Sequence, residues 1–271
     1  MSRADTARLP NDPVSYHDRA AGRFASEYHF LTSDYFHSAF TYGRKKLDVI
    51  LDDVLRQFPS ASNLLDIGCG TGEQLRKCRE AGLRVTGLEP ATNMRTIAQA
   101  GNPGVPILEG VVTDLPFPDR SFDLVLTIEV LRYLGHADLQ RAYREMLRVL
   151  KPGGMVFFTI PNRYALTGFY LYDTGRRFLA RLTRRTEPVH CEFVTPGQVR
   201  RDLRRLGARK ITFRGSVVLP IRPLYRVNNI WGARTARWLE PLDDALSSQA
   251  WTTPFAARLV VMASGPGPDQ P

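Results

Sequence analysis

The sequence predicts an α/β protein: a Rossmann-like, doubly wound sheet, mostly parallel with an antiparallel last strand, carrying helical insertions that cap its substrate side. Three observations lead there. Short apolar runs alternate with amphipathic helical stretches through the middle of the chain, the pattern of a buried parallel sheet with crossover helices. The first run opens into a glycine-rich turn, Gly68-Cys69-Gly70-Thr71-Gly72. An acidic residue, Glu89, closes the next run about 20 residues further on.

Residues 1–14 are polar, contain Pro10 and Pro13, and are expected to be irregular. From about 15 to 57 the pattern is helical, with Leu47, Ile50, Leu51, Val54 and Leu55 on one face. The first part of this lead-in holds Tyr16, Phe24, Tyr28, Phe30, Tyr35, Phe36, Phe40 and Tyr42, more aromatic surface than one packing stripe requires. Part of it is therefore expected to line a pocket. Strands are predicted over 63–67, 84–89, 105–109, 122–127 and 155–160. Between the last two, Leu139, Ala142, Tyr143, Met146, Leu147 and Leu150 mark an amphipathic helix that Pro152 and Gly153-Gly154 should end. Helices follow over 166–184 and 195–206, then strands over 209–214 and 258–263. The insertion at 217–256, with Pro220, Pro223, Pro241, Pro254 and three tryptophans, reads as helical pieces covering apolar surface.

The chain thus divides into a helical lead-in or cap (1–60), a cofactor-binding core (61–163), a completion of that core with substrate-binding insertions at about 164–190 and 217–256 (164–264), and a disordered tail (265–271). With 43% hydrophobic and 24% charged residues it should fold. No basic start followed by an apolar stretch and no bilayer-length apolar run is present, so a cytoplasmic location is expected. Cys69, Cys78 and Cys191 lack the spacing of a disulfide framework or a zinc site, and no metal is expected. The formal charge of +10 suits an acidic substrate, an anionic membrane surface or nucleic acid, and solubility alone is the competing explanation. Much of the surplus lies beyond residue 175, away from the glycine-rich turn.

Glycines in the turn let backbone approach a ligand, while Asp66 at the strand end suits either bracing the turn or receiving an ammonium. Glu89 is placed to accept hydrogen bonds from ribose hydroxyls. The spacing is G-x-G-x-G, and Glu73 stands where a dinucleotide site would have its third glycine. A carboxylate at that helix start repels a pyrophosphate, so an adenosine cofactor without phosphates fits better. S-adenosylmethionine is such a cofactor.

Four ordered segments, LLDIGCGTG, VTGLEP, VVTDLPFPDRSFDLVLTIEVLRYL and LRVLKPGGMVFFTIPN, make residues 61–162 resemble the class I S-adenosylmethionine-dependent methyltransferases. The resemblance is to the small-molecule branch that includes ubiquinone and menaquinone biosynthesis enzymes. It implies S-adenosylmethionine as methyl donor and S-adenosylhomocysteine as product. By that resemblance Gly68, Cys69, Gly70 and Gly72 contact the methionine part, Glu89 and Pro90 the ribose, Met94 the adenine face, and Asp114 with Leu115 the adenine edge. Ile128 lies beside the sulfonium, Arg44 reaches the cofactor carboxylate, and Tyr16 closes over the cofactor. Met94, Leu115 and Tyr16 are open to simple packing, Asp114 to a turn or cap, and Arg44 to a solvated charge cluster with Lys45 and Lys46.

Methyl transfer from a sulfonium needs chiefly alignment and exclusion of water, with a base for a hydroxyl or enol acceptor. His190 is the first candidate base, followed by His136, Glu129 and Tyr133; a surface position for His190, a turn for His136 and a structural role for Glu129 are the competing readings. The family's Glu-His-Val segment is replaced by Leu131-Arg132-Tyr133-Leu134, so catalytic roles do not transfer directly. Residues 127–130 match neither the amine nor the cytosine-carbon signature of DNA enzymes. The expected partner is a small-molecule acceptor, acidic or lipid-linked, rather than nucleic acid. Residues 175–185, with Phe178, Leu179 and Leu182 on one arc among arginines, suit an anionic membrane, an acidic substrate or a solvated lid. An RNA methyltransferase, a non-catalytic cofactor-binding subunit and a nicotinamide enzyme are the other functions weighed.

Overall fold

A computed structural model describes residues 12–29, 38–184 and 187–265. Phe30, Tyr35, Phe36, Arg185, the first residues and the tail lie outside the described residues, as does the side chain of Tyr28. The lead-in forms two helices, α1 (Pro13–His29) and α2 (Ala39–Leu55), and α2 buries Leu47, Leu51, Val54 and Leu55 against the sheet core as their spacing predicts. Ser38 caps α2 and shares a reciprocal capping box with Thr41.

The core alternates as expected: β1 (Asn63–Ile67), α3 (Glu73–Glu80), β2 (Arg84–Leu88), α4 (Thr92–Gly101), β3 (Ile107–Leu108), β4 (Phe122–Thr127), α5 (His136–Val149) and β5 (Leu150–Pro161). Then come α6 (Phe169–Leu182), α7 (Pro196–Arg205), β6 (Arg209–Ser216), α8 (Arg222–Val227), α9 (Asn229–Ser247) and β7 (Arg258–Ser264). The sheet has seven strands in the order β3-β2-β1-β4-β5-β7-β6. β1 through β5 pair in parallel, and β7 runs antiparallel between β5 and β6.

Because the chain runs outward from β1 to β3 and then returns to place β4 beside β1, a crevice opens at the carboxyl ends of these two strands. In doubly wound sheets that switch point is where ligands bind. The strands are buried on both faces, by one cluster built on Leu65, Val125, Phe158 and the Tyr143 side of α5, and by another built on Leu64, Leu124, Phe157 and α2.

One boundary differs from the sequence reading. Pro152 and Gly153-Gly154 do not form the turn after α5; the helix stops at Val149 and Leu150 enters β5 directly. Leu150 already pairs with Phe122, and the extra residues are absorbed by a register shift in the β4/β5 ladder, so β5 begins well before the predicted start. The late insertion folds as α8, α9 and a 3-10 turn over Ala250–Phe255. It is tied to α2 by Asp243, whose buried carboxylate accepts from Tyr42 Oη (2.9 Å) and from the amides of Val218 and Leu219 (2.8 Å each). Among the described residues no helix is long and apolar enough to cross a membrane.

Candidate active site

The glycine-rich turn is held from the neighbouring strand. Gly68 and Cys69 amides both donate to the Leu88 carbonyl (2.7 and 3.1 Å), and the Glu89 carboxylate accepts from the amides of Gly70 and Ala91 (2.9 Å each). Gly68 has φ +70°, and a Cβ there would lie 2.3 Å from Val130 Cγ2, so no larger residue fits. At Gly70 (φ +57°) nothing lies within 4 Å of such a Cβ; the missing side chain leaves the ligand crevice open at the turn.

Above the turn lies a cavity of about 420 Å³, within the roughly 300–1,000 Å³ usual for ligand sites. Its walls include Gly68, Gly70, Thr71, Glu89, Pro90, Met94 and Ile128, with Gly110 to Val112 beyond β3. It is lined as well by His17, Phe24, Tyr42, Tyr133 and Phe169, with Asp12, Glu129, Arg132 and Arg258. A side pocket of about 30 Å³ adjoins the turn and is lined by Arg44, Asp66, Cys69 and Gln74.

These residues fit the amino-acid end and the adenosine of S-adenosylmethionine. Asp66 Oδ2, Gln74 Oε1 and Thr71 Oγ1 are buried without a protein partner among the described residues, and such oxygens can accept from an ammonium. Arg44, only 5% exposed, lines the side pocket with Asp66, and a buried guanidinium there fits a carboxylate ligand. Its burial, with Asp48 at 3.4 Å, overturns the reading of Arg44 as part of a solvated charge cluster. Glu89 retains lone pairs for ribose hydroxyls after bracing the turn. Glu73, the first residue of α3, pairs with Arg76 and keeps a negative group where a pyrophosphate would sit.

Burial pushes the Asp66 carboxyl up to about 7, Arg44 opposing and Glu89 reinforcing the shift. In the free protein the proton is therefore held through acidic pH and lost as pH rises through about 7. An arriving ammonium favours the carboxylate, so binding of S-adenosylmethionine just below neutral pH should release a proton, and affinity should rise towards neutrality and then level. Titration calorimetry in buffers of different ionisation enthalpy checks this; the same enthalpy in every buffer at about pH 6 contradicts it.

His17 is the catalytic candidate that the sequence reading missed. Its Nδ1 lies 2.8 Å from the Pro13 carbonyl, which only accepts, so the ring proton sits on Nδ1 and Nε2 is left as an acceptor. Nε2 is 3.4 Å from Tyr133 Oη. Burial lowers the His17 pKa, more than the Pro13 bond raises it, and Arg132 adds to the lowering; the ring is neutral at pH 7. Tyr133 is pushed up to about 12 by burial and stays a phenol. Phe24 stacks on the imidazole at 5.2 Å and fixes its plane. A signal was present in the sequence: Val14, His17, Ala21 and Phe24 recur at helical spacing, placing His17 on the apolar stripe of α1.

Of the four bases proposed from sequence, Tyr133 and Glu129 line the cavity and His190 and His136 do not. His136 is the first residue of α5, exposed and away from that helix's buried face. His190 is exposed, 3.3 Å from Glu192. Its neighbour Cys191 instead turns to Arg132 and accepts from its guanidinium (3.2 Å), because successive residues of an extended segment point to opposite sides. Glu129 adopts φ +63° and sets its carboxylate between Arg132 and Arg258, both ion-paired to it. Held by two guanidiniums, it positions them and is poorly suited to taking a proton.

Among the cofactor candidates, Met94 both lines the cavity and packs against Ala21 of α1. Leu115 is buried in the main core, and Asp114 is exposed outside the lining, its amide closing a turn onto Val111. Tyr16 turns away from the cavity to accept from Arg23 (2.7 Å), and its neighbour His17 takes the inward position. Gly72 caps α3 at φ +87°.

The turn, the acidic strand end and the switch-point cavity together are the cofactor half of a methyltransferase, and the comparisons agree. Residues 65–158 match the methyltransferase domain family. The chain is 34% identical over 179 residues to the ubiquinone biosynthesis O-methyltransferase of Methylobacterium nodulans, covering 62% of this chain and 69% of that one. The chain belongs to the class I S-adenosylmethionine-dependent methyltransferases. Against other curated relatives it spans about half of their length or less, 47%, 51% and 37% for three of them. The fold matches Haemonchus contortus phosphoethanolamine N-methyltransferase 2 solved with S-adenosyl-L-methionine, with TM-score 0.60 and 18% identity over 94% of this chain and 59% of that one. It also matches a chain of the Haloferax volcanii complex between the Trm112 methyltransferase activator and a methyltransferase, with TM-score 0.59 and 20% identity over 92% and 97%.

Proposed function

We propose that this chain transfers a methyl group from S-adenosylmethionine to a hydroxyl or amine of a small-molecule acceptor, with His17 receiving the acceptor's proton. The observation that carries this reading is the His17 geometry: a neutral imidazole, its tautomer fixed by Pro13, with Nε2 against the Tyr133 hydroxyl and both residues lining the cavity. A base so placed is needed when the acceptor atom carries a proton.

Bound S-adenosylmethionine supplies a methyl group already activated by its sulfonium. Asp66, Thr71, Gln74 and Arg44 would hold its amino-acid end and Glu89 its ribose. The protein's remaining work is alignment and dryness. Phe24, Tyr42, Tyr133 and Phe169 form an apolar wall that orients a flat or hydrocarbon acceptor and keeps water from the reacting atoms. Arg132 and Arg258, both ion-paired to Glu129, bring two guanidiniums to the cavity lining, and these would be the partners of an acidic group on the acceptor. Tyr133 either relays the proton to His17 or hydrogen-bonds the acceptor directly, since its phenol can donate and accept. An oxygen acceptor is further supported by the O-methyltransferase among its relatives.

The test is to incubate the protein and methyl-deuterated S-adenosylmethionine with a small-molecule extract of the host and, separately, with its total RNA, and to follow the label by mass spectrometry. Label in an acidic or apolar metabolite at oxygen or nitrogen is the expected result. Label in RNA, or tight cofactor binding without label in any metabolite, overturns the proposal in favour of an RNA enzyme or a non-catalytic subunit.

A further inference from the structure

The cap carries an apolar surface that faces away from the protein. On α6, Leu171, Phe178 and Leu182 stand at i, i+7 and i+11; on α9, Trp231, Trp238 and Leu242 repeat the same spacing. All six are between 52% and 80% exposed. The faces turned inward hold instead Asp173 and Ala180 on α6, and Gly232, Ala233, Ala236 and Asp243 on α9. Each helix is thus mounted with its apolar stripe outward, the reverse of a helix that serves only to cover a core.

Both insertions reach the same cavity. Phe169 at the start of α6 and Ile221 just before α8 line the same cavity, and the two insertions are joined where the Leu166 amide donates to the Phe255 carbonyl (3.0 Å). Leu166 and Phe255 are themselves exposed, as is Trp251 nearby in sequence. The charge around the stripes is positive. Arg176 and Arg181 flank that of α6, and Arg234 and Arg237 lie beside that of α9, in a chain with a formal charge of +10. Arg181 pairs with Glu187 and Arg176 with the buried Asp173, whereas among the described residues no ion pair engages Arg234 or Arg237. The acidic residues of α9 are turned elsewhere: Asp243 is buried, and Glu240 and Asp244 pair with Lys46 of α2.

Outward tryptophan, phenylalanine and leucine edged by arginine form the face of an interfacial helix, with apolar side chains at acyl depth and guanidiniums at phosphate level. We propose that α6 and α9 dock this protein on the surface of an anionic lipid bilayer. Such docking places the cap, and with it the cavity walls at Phe169 and Ile221, against the lipid phase from which an apolar acceptor would enter.

The test uses the whole chain without turnover, so it stands or falls separately from methyl transfer. Vesicles of phosphatidylglycerol and phosphatidylcholine, and of phosphatidylcholine alone, are mixed with the protein, and partitioning is followed by co-sedimentation and tryptophan emission. Expected are partitioning into the anionic vesicles that weakens with salt, a blue shift of emission, and quenching by bromine-labelled acyl chains. Phe178→Ser with Leu182→Ser, and separately Trp231→Ala with Trp238→Ala, should each lower partitioning about tenfold or more with the melting temperature unchanged, since these side chains are exposed. Failure to bind anionic vesicles, equal binding to both vesicle types, or binding untouched by the variants overturns the proposal. So does a dimer in sedimentation velocity that the same variants dissolve while vesicles remain unbound, because a second copy then covers the face.

Discussion

Replacing His17 by glutamine should lower turnover by about 10²–10⁴-fold while leaving the dissociation constant of S-adenosylmethionine unchanged, the loss expected when a positioned base is removed. Glutamine retains a donor that can reach the Pro13 carbonyl but has no group that accepts a proton at neutral pH. The pH profile separates this role from mere packing. The proposed role needs the base form of His17, and burial keeps its pKa below the ordinary histidine value. The wild-type rate should therefore stay level as pH falls through 6.5 and drop only below it, and that acid limb should vanish in the variant. A variant with near wild-type turnover, or one that keeps the same acid limb, removes His17 from the chemistry. The measurement is kcat against whichever metabolite the labelled-donor experiment identifies.

Glu89→Ala should weaken S-adenosylmethionine binding by about 100-fold or more, because in the proposed role its carboxylate accepts from two ribose hydroxyls and each such charged hydrogen bond contributes about 1.5–3 kcal/mol. It should also destabilise the free protein. The carboxylate satisfies the amides of Gly70 and Ala91, and leaving two buried donors unpaired costs about 1–3 kcal/mol each. Part of this is offset, since burial raises the Glu89 pKa and its charge is held at some expense, the two amides opposing that shift. A net loss of about 2 kcal/mol lowers the melting temperature by roughly 4–8 °C in a chain of this size. Glu89→Gln keeps one acceptor oxygen and should fall between the two. Calorimetry and thermal unfolding read the two effects independently, so a lower melting temperature with unchanged affinity would restrict Glu89 to bracing the turn.

The cofactor half was legible because its signals are local. Strand β1, the turn and Glu89 lie in one continuous stretch whose apolar runs, glycines and acidic strand end each have a direct backbone reason. The acceptor half was not legible in the same way. His190 and His136 were chosen for residue type, and both are exposed because their places in an extended segment and at a helix start turn them outward. His17 sat on a readable apolar stripe, but its partner Tyr133 lies more than a hundred residues away and only packing unites them.

Taken alone, the amino-acid order determined the alternation of strands and helices, the glycine turn, the preference for a cofactor without phosphates and the outline of the cap. Those features depend on periodicity and on backbone permissiveness, which act over a few residues. Tertiary structure alone decided which imidazole faces the cavity, that Arg44 is buried beside Asp66, and that the apolar stripes of α6 and α9 point outward. A helix specifies which residues share a face, whereas the rotation of that face towards core or solvent is set by what the rest of the chain places beside it.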